Sequence, residues 1–194
     1  HQLPMKAAEL AVRWGERFFA LVDRSNHDAF RTLRECEHIS LVETMRALER
    51  DVDPEPYVQI LGDYWRHPPL HPEVLDAVAR FSAPVCIVSN ADTRDVESAL
   101  ARYGLRFDHV VTSEQARSYK PDTGIFESAL RQTGWRRAHV IHVGDSLHSD
   151  IQGAARAGLC SGWVCRDDRI HDIGTERPDH TFRDLNELAQ WITA

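Results

Sequence analysis

The sequence predicts an α/β fold: a parallel sheet with helices on both faces, preceded by a small all-helical segment. Three observations carry this. From about residue 84 onward, short apolar runs alternate with helix-length amphipathic stretches, the grammar of a parallel sheet built by right-handed crossovers. Before residue 67 only helical periodicity is present. Between them, His67-Pro-Pro-Leu-His-Pro72 stiffens the chain and stops helices. The expected division is a helical segment at 1–66 and an α/β segment at 67–194.

Residues 5–23 put Met5, Ala8, Val12, Phe19 and Val22 near one face of an amphipathic helix. Residues 27–35 have room for a shorter helix. Ser40-Leu-Val-Glu43 has capping-box spacing, expected to open a helix that ends near Arg50. Asp53-Pro54 offers an N-cap and then proline at the first helical position, for a helix through Tyr57, Ile60 and Leu61 to about Trp65. After the proline segment, a helix at 72–81 leads into a strand at 84–88. A helix at 93–103 stops at Gly104. His109–Thr112 reads as a strand, 123–132 as a helix and 138–143 as a strand. A helix to about Ala157 closes at Gly158, followed by strands at 161–165 and 180–182 and a terminal helix at 185–192.

A chain of 194 residues can bury a sizeable core, and 42% hydrophobic with 27% charged residues is ordinary for globular proteins. The net charge of -7 leaves no basic excess to neutralise phosphates, which argues against a nucleic-acid partner. No apolar run has the length of a membrane span, so no membrane partner is expected. No signal-peptide pattern precedes the first helix, and the expected compartment is the cytoplasm. The four cysteines form no C-x-x-C pair; Cys86 and Cys160 fall in expected buried strands, as free thiols would in a reducing compartment. None of the 11 histidines has zinc-site spacing, and His139 and His142 read as sheet residues.

Three strand ends carry polar residues. The run Val140–Val143 ends at Gly144, which lets the backbone turn; Asp145 follows, and Asp150 opens a helix. Ligands of open α/β sheets bind at the carboxyl edge of the strands, and two carboxylates there suit Mg²⁺. Equally, Asp145 could close a turn, and Ser149 or Asp150 could cap a helix. Ser89 and Asn90 end a second strand, where a hydroxyl, an amide and backbone N–H groups can cradle a phosphate oxygen, although Ser-Asn is also plain turn chemistry. Lys120, in Ser118-Tyr-Lys-Pro-Asp122, is one of only two lysines, the other being Lys6. Its compact ammonium suits a point charge held against phosphate; a solvated surface lysine is the ordinary alternative.

In this order and spacing, Ser89-Asn90, Lys120-Pro121 and Gly144-Asp145-Ser146 with Asp150 resemble motifs II, III and IV of the haloacid-dehalogenase-like hydrolase superfamily. The resemblance extends over essentially the whole chain. It implies a Rossmann-like core, a helical cap in the first third, and a phosphatase working through an aspartyl-phosphate with Mg²⁺. Asp145 would ligate the metal, directly or through water, and Asp150 would orient the metal or its waters. Ser89 and the backbone at Asn90 would bind the transferring phosphoryl group, and Lys120 would pair with that group and the nucleophile. Replacing Lys120 with Arg is expected to fail to restore function while affecting the fold little, since no hydrophobic packing is at stake. Arg31, Arg34 and His38, with Glu35 beside them, are cap candidates for facing a small phosphorylated metabolite; a solvated helix face is the competing reading. Oligomeric state has no signature.

The family's motif I, Asp-x-Asp followed by a small-residue turn, carries the nucleophile and the general acid/base, and it does not occur here. An upstream segment is therefore expected to supply an apolar strand ending in that motif. That strand would lie between the strands ending at Ser89 and Asp145, leaving them a strand-wide gap apart. A non-catalytic binding relative is the alternative reading. A 2-haloacid dehalogenase is another, but dehalogenases resembling this family carry Ser-Ser-Asn where this chain has Gly144-Asp145-Ser146.

Overall fold

The first helix, α1 (Ala7–Asp23), lays Leu21 and Val22 into a small core, and Phe18 packs beside them. The computed structural model describes residues 6–166, 174 and 176–193; Met5, expected on the α1 face, lies outside the described residues. A 3₁₀ turn at His27–Ala29 follows, in place of a separate helix over 27–35. Helix α2 (Leu33–Arg46) is opened by Thr32, whose side chain accepts from Glu35 N while Glu35 reaches back to Thr32 N. Thr32-x-x-Glu35 is thus the capping box. Ser40, expected in that role, is a buried mid-helix residue that accepts from Trp14 Nε1 at 3.0 Å. Both spacings satisfy the same pattern, and the apolar packing of Leu33 and Cys36 decides between them. Helix α3 (Glu55–Arg66) begins where Asp53 Oδ1 accepts from Glu55 N.

Helix α4 (Val74–Ala79) precedes strand β1 (Cys86–Ser89), helix α5 (Thr93–Arg102) and strand β2 (His109–Thr112). A short helix α6 (Ser113–Ala116), not expected from the sequence pattern, comes next, then α7 (Thr123–Thr133) and strand β3 (Ile141–Gly144). A π-helical turn at Leu147–Ile151 runs into α8 (Gln152–Arg156). Strands β4 (Cys160–Val164) and β5 (His180–Phe182) and helix α9 (Leu185–Thr193) complete the order.

The strands form two sheets among the described residues: β1 beside β2, and a three-stranded sheet in the order β3-β4-β5. The second is parallel, with Ile141 opposite Cys160, Gly144 opposite Trp163 and Gly162 opposite His180. No ladder joins β1 to β3 among the described residues. All four cysteines are free; Cys36 is buried, but Cys160, at the first position of β4, is exposed rather than covered. No described helix is long and apolar enough to cross a membrane.

The chain divides into two compact units. One takes residues 1–68 with 89–105 and 112–119; the other takes 69–88, 106–111 and 120–194. This differs from a single cut at 66/67, because α5, α6 and the loop after β1 belong with the N-terminal helices. In the first unit Leu21, Val22, Leu33 and Cys36 surround Tyr119, whose hydroxyl donates to Arg31 O at 2.9 Å. In the second, β3, β4 and β5 carry α8 and α9.

One buried carboxyl in the first unit gives the fold a pH dependence. Glu37 on α2 is only 3% exposed and accepts from Trp65 Nε1 at 2.7 Å. Burial pushes its carboxyl up to about 7; the Trp65 bond opposes this, and Asp92 and Asp95 reinforce it. A raised carboxyl contributes stability that is present below its unfolded value and lost as pH rises toward 7. Glu37→Gln keeps an acceptor for Trp65 without the charge. It is expected to stabilise the protein by about 1–3 kcal/mol at pH 8 and to be near neutral at pH 4, read by urea denaturation at both.

Candidate active site

β3 ends at Gly144 because the next turn leaves no room for a side chain there. A Cβ on Gly144 would lie 2.1 Å from Asp150 Cγ. The chain then turns through Asp145, whose carbonyl accepts from Trp163 Nε1 at 3.2 Å. Ser146 caps the following turn: its hydroxyl accepts from Ser149 N at 2.8 Å. Neither Ser149 nor Asp150 is the cap, because the helical turn starts earlier, at Leu147.

Asp150 is thereby swung back beneath Gly144 and buried, 4% exposed. Its Oδ2 accepts from Ser146 N at 3.1 Å. Its Oδ1 accepts from Lys120 Nζ at 2.7 Å and bonds His142 Nε2 at 2.8 Å. Burial by itself would raise this carboxyl, but the Lys120 charge and the His142 hydrogen bond outweigh it and hold Asp150 well below the usual carboxylate range. His142, on β3 with the ring of Phe126 edge-on at 4.9 Å, is pushed down, first by burial and also by Lys120, with Asp150 opposing. The imidazole is therefore neutral and donates Nε2–H to Asp150. The sequence marks His142 only as a sheet residue; its position eight residues before a carboxylate gives no signal of this contact.

Lys120 stands at the start of the segment leading to α7, joined to Pro121 by a cis peptide bond. Besides Asp150 it donates to Val88 O at 3.0 Å, on the residue immediately before Ser89. The Lys120 and Asp150 side chains are 11% and 6% exposed. Lys120 is thus a largely covered ion-pair partner rather than a solvated surface lysine, and removing its charge would strand a buried carboxylate.

Gly144→Ala is expected to displace Asp150 and cost about 2–4 kcal/mol of stability, seen as a lower urea midpoint. An unchanged midpoint would contradict the close approach described.

Ser89 ends β1 and Asn90 follows it, both partly exposed. Of the cap candidates, Arg34 is paired with Glu55 at 2.5 Å, Glu35 is engaged in the capping box, Arg31 reaches Ala29 O at 3.5 Å, and His38 is exposed. An Asp-x-Asp pattern does occur at Asp51-Val-Asp53, but it sits in the connection before α3 and not at a strand end.

No three His, Cys, Asp or Glu side chains converge as a metal cluster among the described residues. Asp150 is taken up by protein donors on both oxygens, which suits a group that orients the loop rather than one that ligates directly. Asp145 is the carboxylate at the strand end. A single hard carboxylate fits Mg²⁺, which commonly uses one or two carboxylates with water and substrate phosphate.

In the second unit, a parallel sheet thus ends in a Gly-Asp turn beside a lysine held on a buried carboxylate. The family model for haloacid dehalogenase-like hydrolases matches residues 5–158, and the chain belongs to that family. It is similar to the (S)-2-haloacid dehalogenase H-109 of Pseudomonas putida, 26% identical over 162 residues, which cover 81% of this chain and 67% of that protein. It is also similar to the pyrimidine 5'-nucleotidase YjjG of Escherichia coli (strain K12), 37% identical over 122 residues, which cover 61% of this chain but only 53% of the nucleotidase. The L-2-haloacid dehalogenase of Xanthobacter autotrophicus with chloropropionic acid covalently bound has the same fold, with a TM-score of 0.81 at 17% identity over 98% of this chain and 88% of that one. The magnesium-bound HAD-hydrolase YfnB of Bacillus subtilis gives 0.78 at 20% identity over 98% and 85%.

Proposed function

We propose that this hydrolase is a Mg²⁺-dependent phosphatase acting on a small phosphomonoester through an aspartyl-phosphate, its attacking aspartate carried by a strand outside these residues. The observation that carries the reading is Asp145: a carboxylate directly after Gly144 at a strand end serves a metal and has no use in a site for a halocarboxylate. The likeness to a pyrimidine 5'-nucleotidase over 122 residues supports a phosphomonoester as the substrate class.

Mg²⁺ held by Asp145 would supply charge neutralisation of the phosphate. Lys120, fixed by Asp150 and Val88 O, presents an ammonium of set position to the transferring phosphoryl group. Ser89 Oγ and the amide of Asn90 would bind phosphoryl oxygens, and the N-terminal helical segment would serve as a cap that restricts water. Asp150 orients Lys120 and the turn after β3, with His142 as its third support.

The dehalogenase likenesses make a second chemistry testable in the same experiment. The complete protein with Mg²⁺ is given sugar phosphates, nucleotides and phosphoglycolate in one series and (S)-2-chloropropionate in another. Phosphate release that EDTA abolishes is the expected result. Chloride release insensitive to EDTA overturns the proposal in favour of a dehalogenase, and no turnover in either series points to a non-catalytic relative.

A further inference from the structure

Asp92 is not part of the chemistry above, yet it joins two features that the chemistry needs. It lies two residues after Asn90, at the entry to α5. Its carboxylate crosses 59 residues of sequence to take the first amides of α2: Leu33 N reaches Oδ1 at 2.8 Å and Arg34 N reaches Oδ2 at 3.1 Å. The same helix end already holds its own capping box, in which Thr32 Oγ1 accepts from Glu35 N at 3.2 Å. Asp92 therefore supplies the remaining acceptors from another segment, where a negative charge also suits the helix dipole. Burial raises its carboxyl and the two amides hold it back, so the group resides in a partly dry setting where such bonds matter more.

The loop around Asp92 is fastened on its other side too. Ala91 O accepts from Ser113 Oγ at 3.2 Å. Thr93 N donates to Glu114 Oε2 at 2.8 Å, and Thr93 Oγ1 meets Thr112 Oγ1 at 2.8 Å. Residues 89–105 and 112–119 accordingly belong to the same compact unit as the helices α1 to α3. A helix that needed only an N-cap would be served by Thr32; a second, remote carboxylate on the segment that carries Ser89 and Asn90 does something more.

We infer that Asp92 is a positioning residue that locks the Ser89–Asn90 loop to the N-terminus of cap helix α2, so that loop and cap helix keep one fixed geometry. The inference rests on the proposed phosphate-binding role of Ser89 and Asn90 for its functional consequence, and on the Asp92 bonds for its mechanical part. The latch sets where Asn90 N and Ser89 Oγ stand relative to Arg31 and Arg34 at the start of α2. It does not touch substrate.

The test uses the complete protein with Mg²⁺, inorganic phosphate as the probe, and the variants Asp92→Ala, Asp92→Asn and Thr32→Ala. Amide exchange is followed by NMR at residues 33–34 and 89–91, and phosphate affinity by calorimetry. Asp92→Ala is expected to speed exchange at least tenfold at both places and to weaken phosphate about tenfold. Asp92→Asn, which keeps one acceptor, should fall between, and serves if the alanine variant does not fold. Thr32→Ala, which uncaps the same helix without touching the loop, should leave residues 89–91 and phosphate affinity as in the parent. Faster exchange confined to residues 33–34 with unchanged phosphate affinity overturns the inference and makes Asp92 a helix cap only. A parent protein that binds no phosphate contradicts the phosphatase reading instead; exchange at residues 89–91 then decides the latch by itself.

Discussion

Replacing Lys120 with methionine is expected to abolish turnover in the complete protein and to lower its stability by about 3–5 kcal/mol, the usual consequence of stranding one half of a buried ion pair. The pair is short, 2.7 Å, and both side chains are largely covered. Lys120→Arg is not expected to rescue activity: a planar guanidinium cannot occupy a pocket shaped by Val88 O and Asp150 for a compact ammonium. Urea denaturation and a phosphate-release assay read the two effects separately. A stable, active Lys120→Met protein would remove Lys120 from both roles.

The same cluster sets an acid limit. Asp150 is held below its ordinary value, so its stabilisation is present above the unfolded carboxylate range and is lost as pH falls below about 4. His142, buried neutral and pushed below 6.5, adds an earlier loss: the unfolded chain takes up its proton as pH falls through 6.5 while the folded one resists. Both contributions weaken the fold in acid, opposite in sign to Glu37.

Asp145→Asn keeps the backbone carbonyl that accepts from Trp163 Nε1. Its effect falls on the metal: Mg²⁺ affinity should drop at least tenfold and turnover on the order of 10³-fold, since an amide contributes no charge to a hard cation. Calorimetric titration with Mg²⁺ and steady-state kinetics measure the two. Undiminished Mg²⁺ dependence in the variant would take the metal away from Asp145.

Much of the fold is legible in the order of residues alone. The proline segment after His67 and the strand-helix alternation beyond it point to the fold class, and periodicities of 3.6 and 2 place most elements within two or three residues. The start of α2 is not legible, because Thr32-x-x-Glu35 and Ser40-x-x-Glu43 present the same cap chemistry and only tertiary burial of Leu33 and Cys36 separates them. The site divides in the same way. Residue type and order single out Lys120 and Asp150, but not their contact, which spans 30 residues. His142 escapes notice because a buried histidine in an apolar run has the pattern of any strand residue. Asp92 escapes notice because nothing local marks a carboxylate that caps a helix 59 residues away.

The central claim, that Asp145 serves a metal while Lys120 and the Ser89–Asn90 loop hold a phosphoryl group, is tested most directly by a crystal structure of the complete protein with Mg²⁺ and orthovanadate. Vanadate oxygens are expected within hydrogen-bond reach of Ser89 Oγ, Asn90 N and Lys120 Nζ, with Mg²⁺ on Asp145 and Asp150 still bound to Lys120 and His142. Vanadate bound away from Lys120, or Mg²⁺ ligated by Asp150 with the Lys120 pair broken, would contradict it.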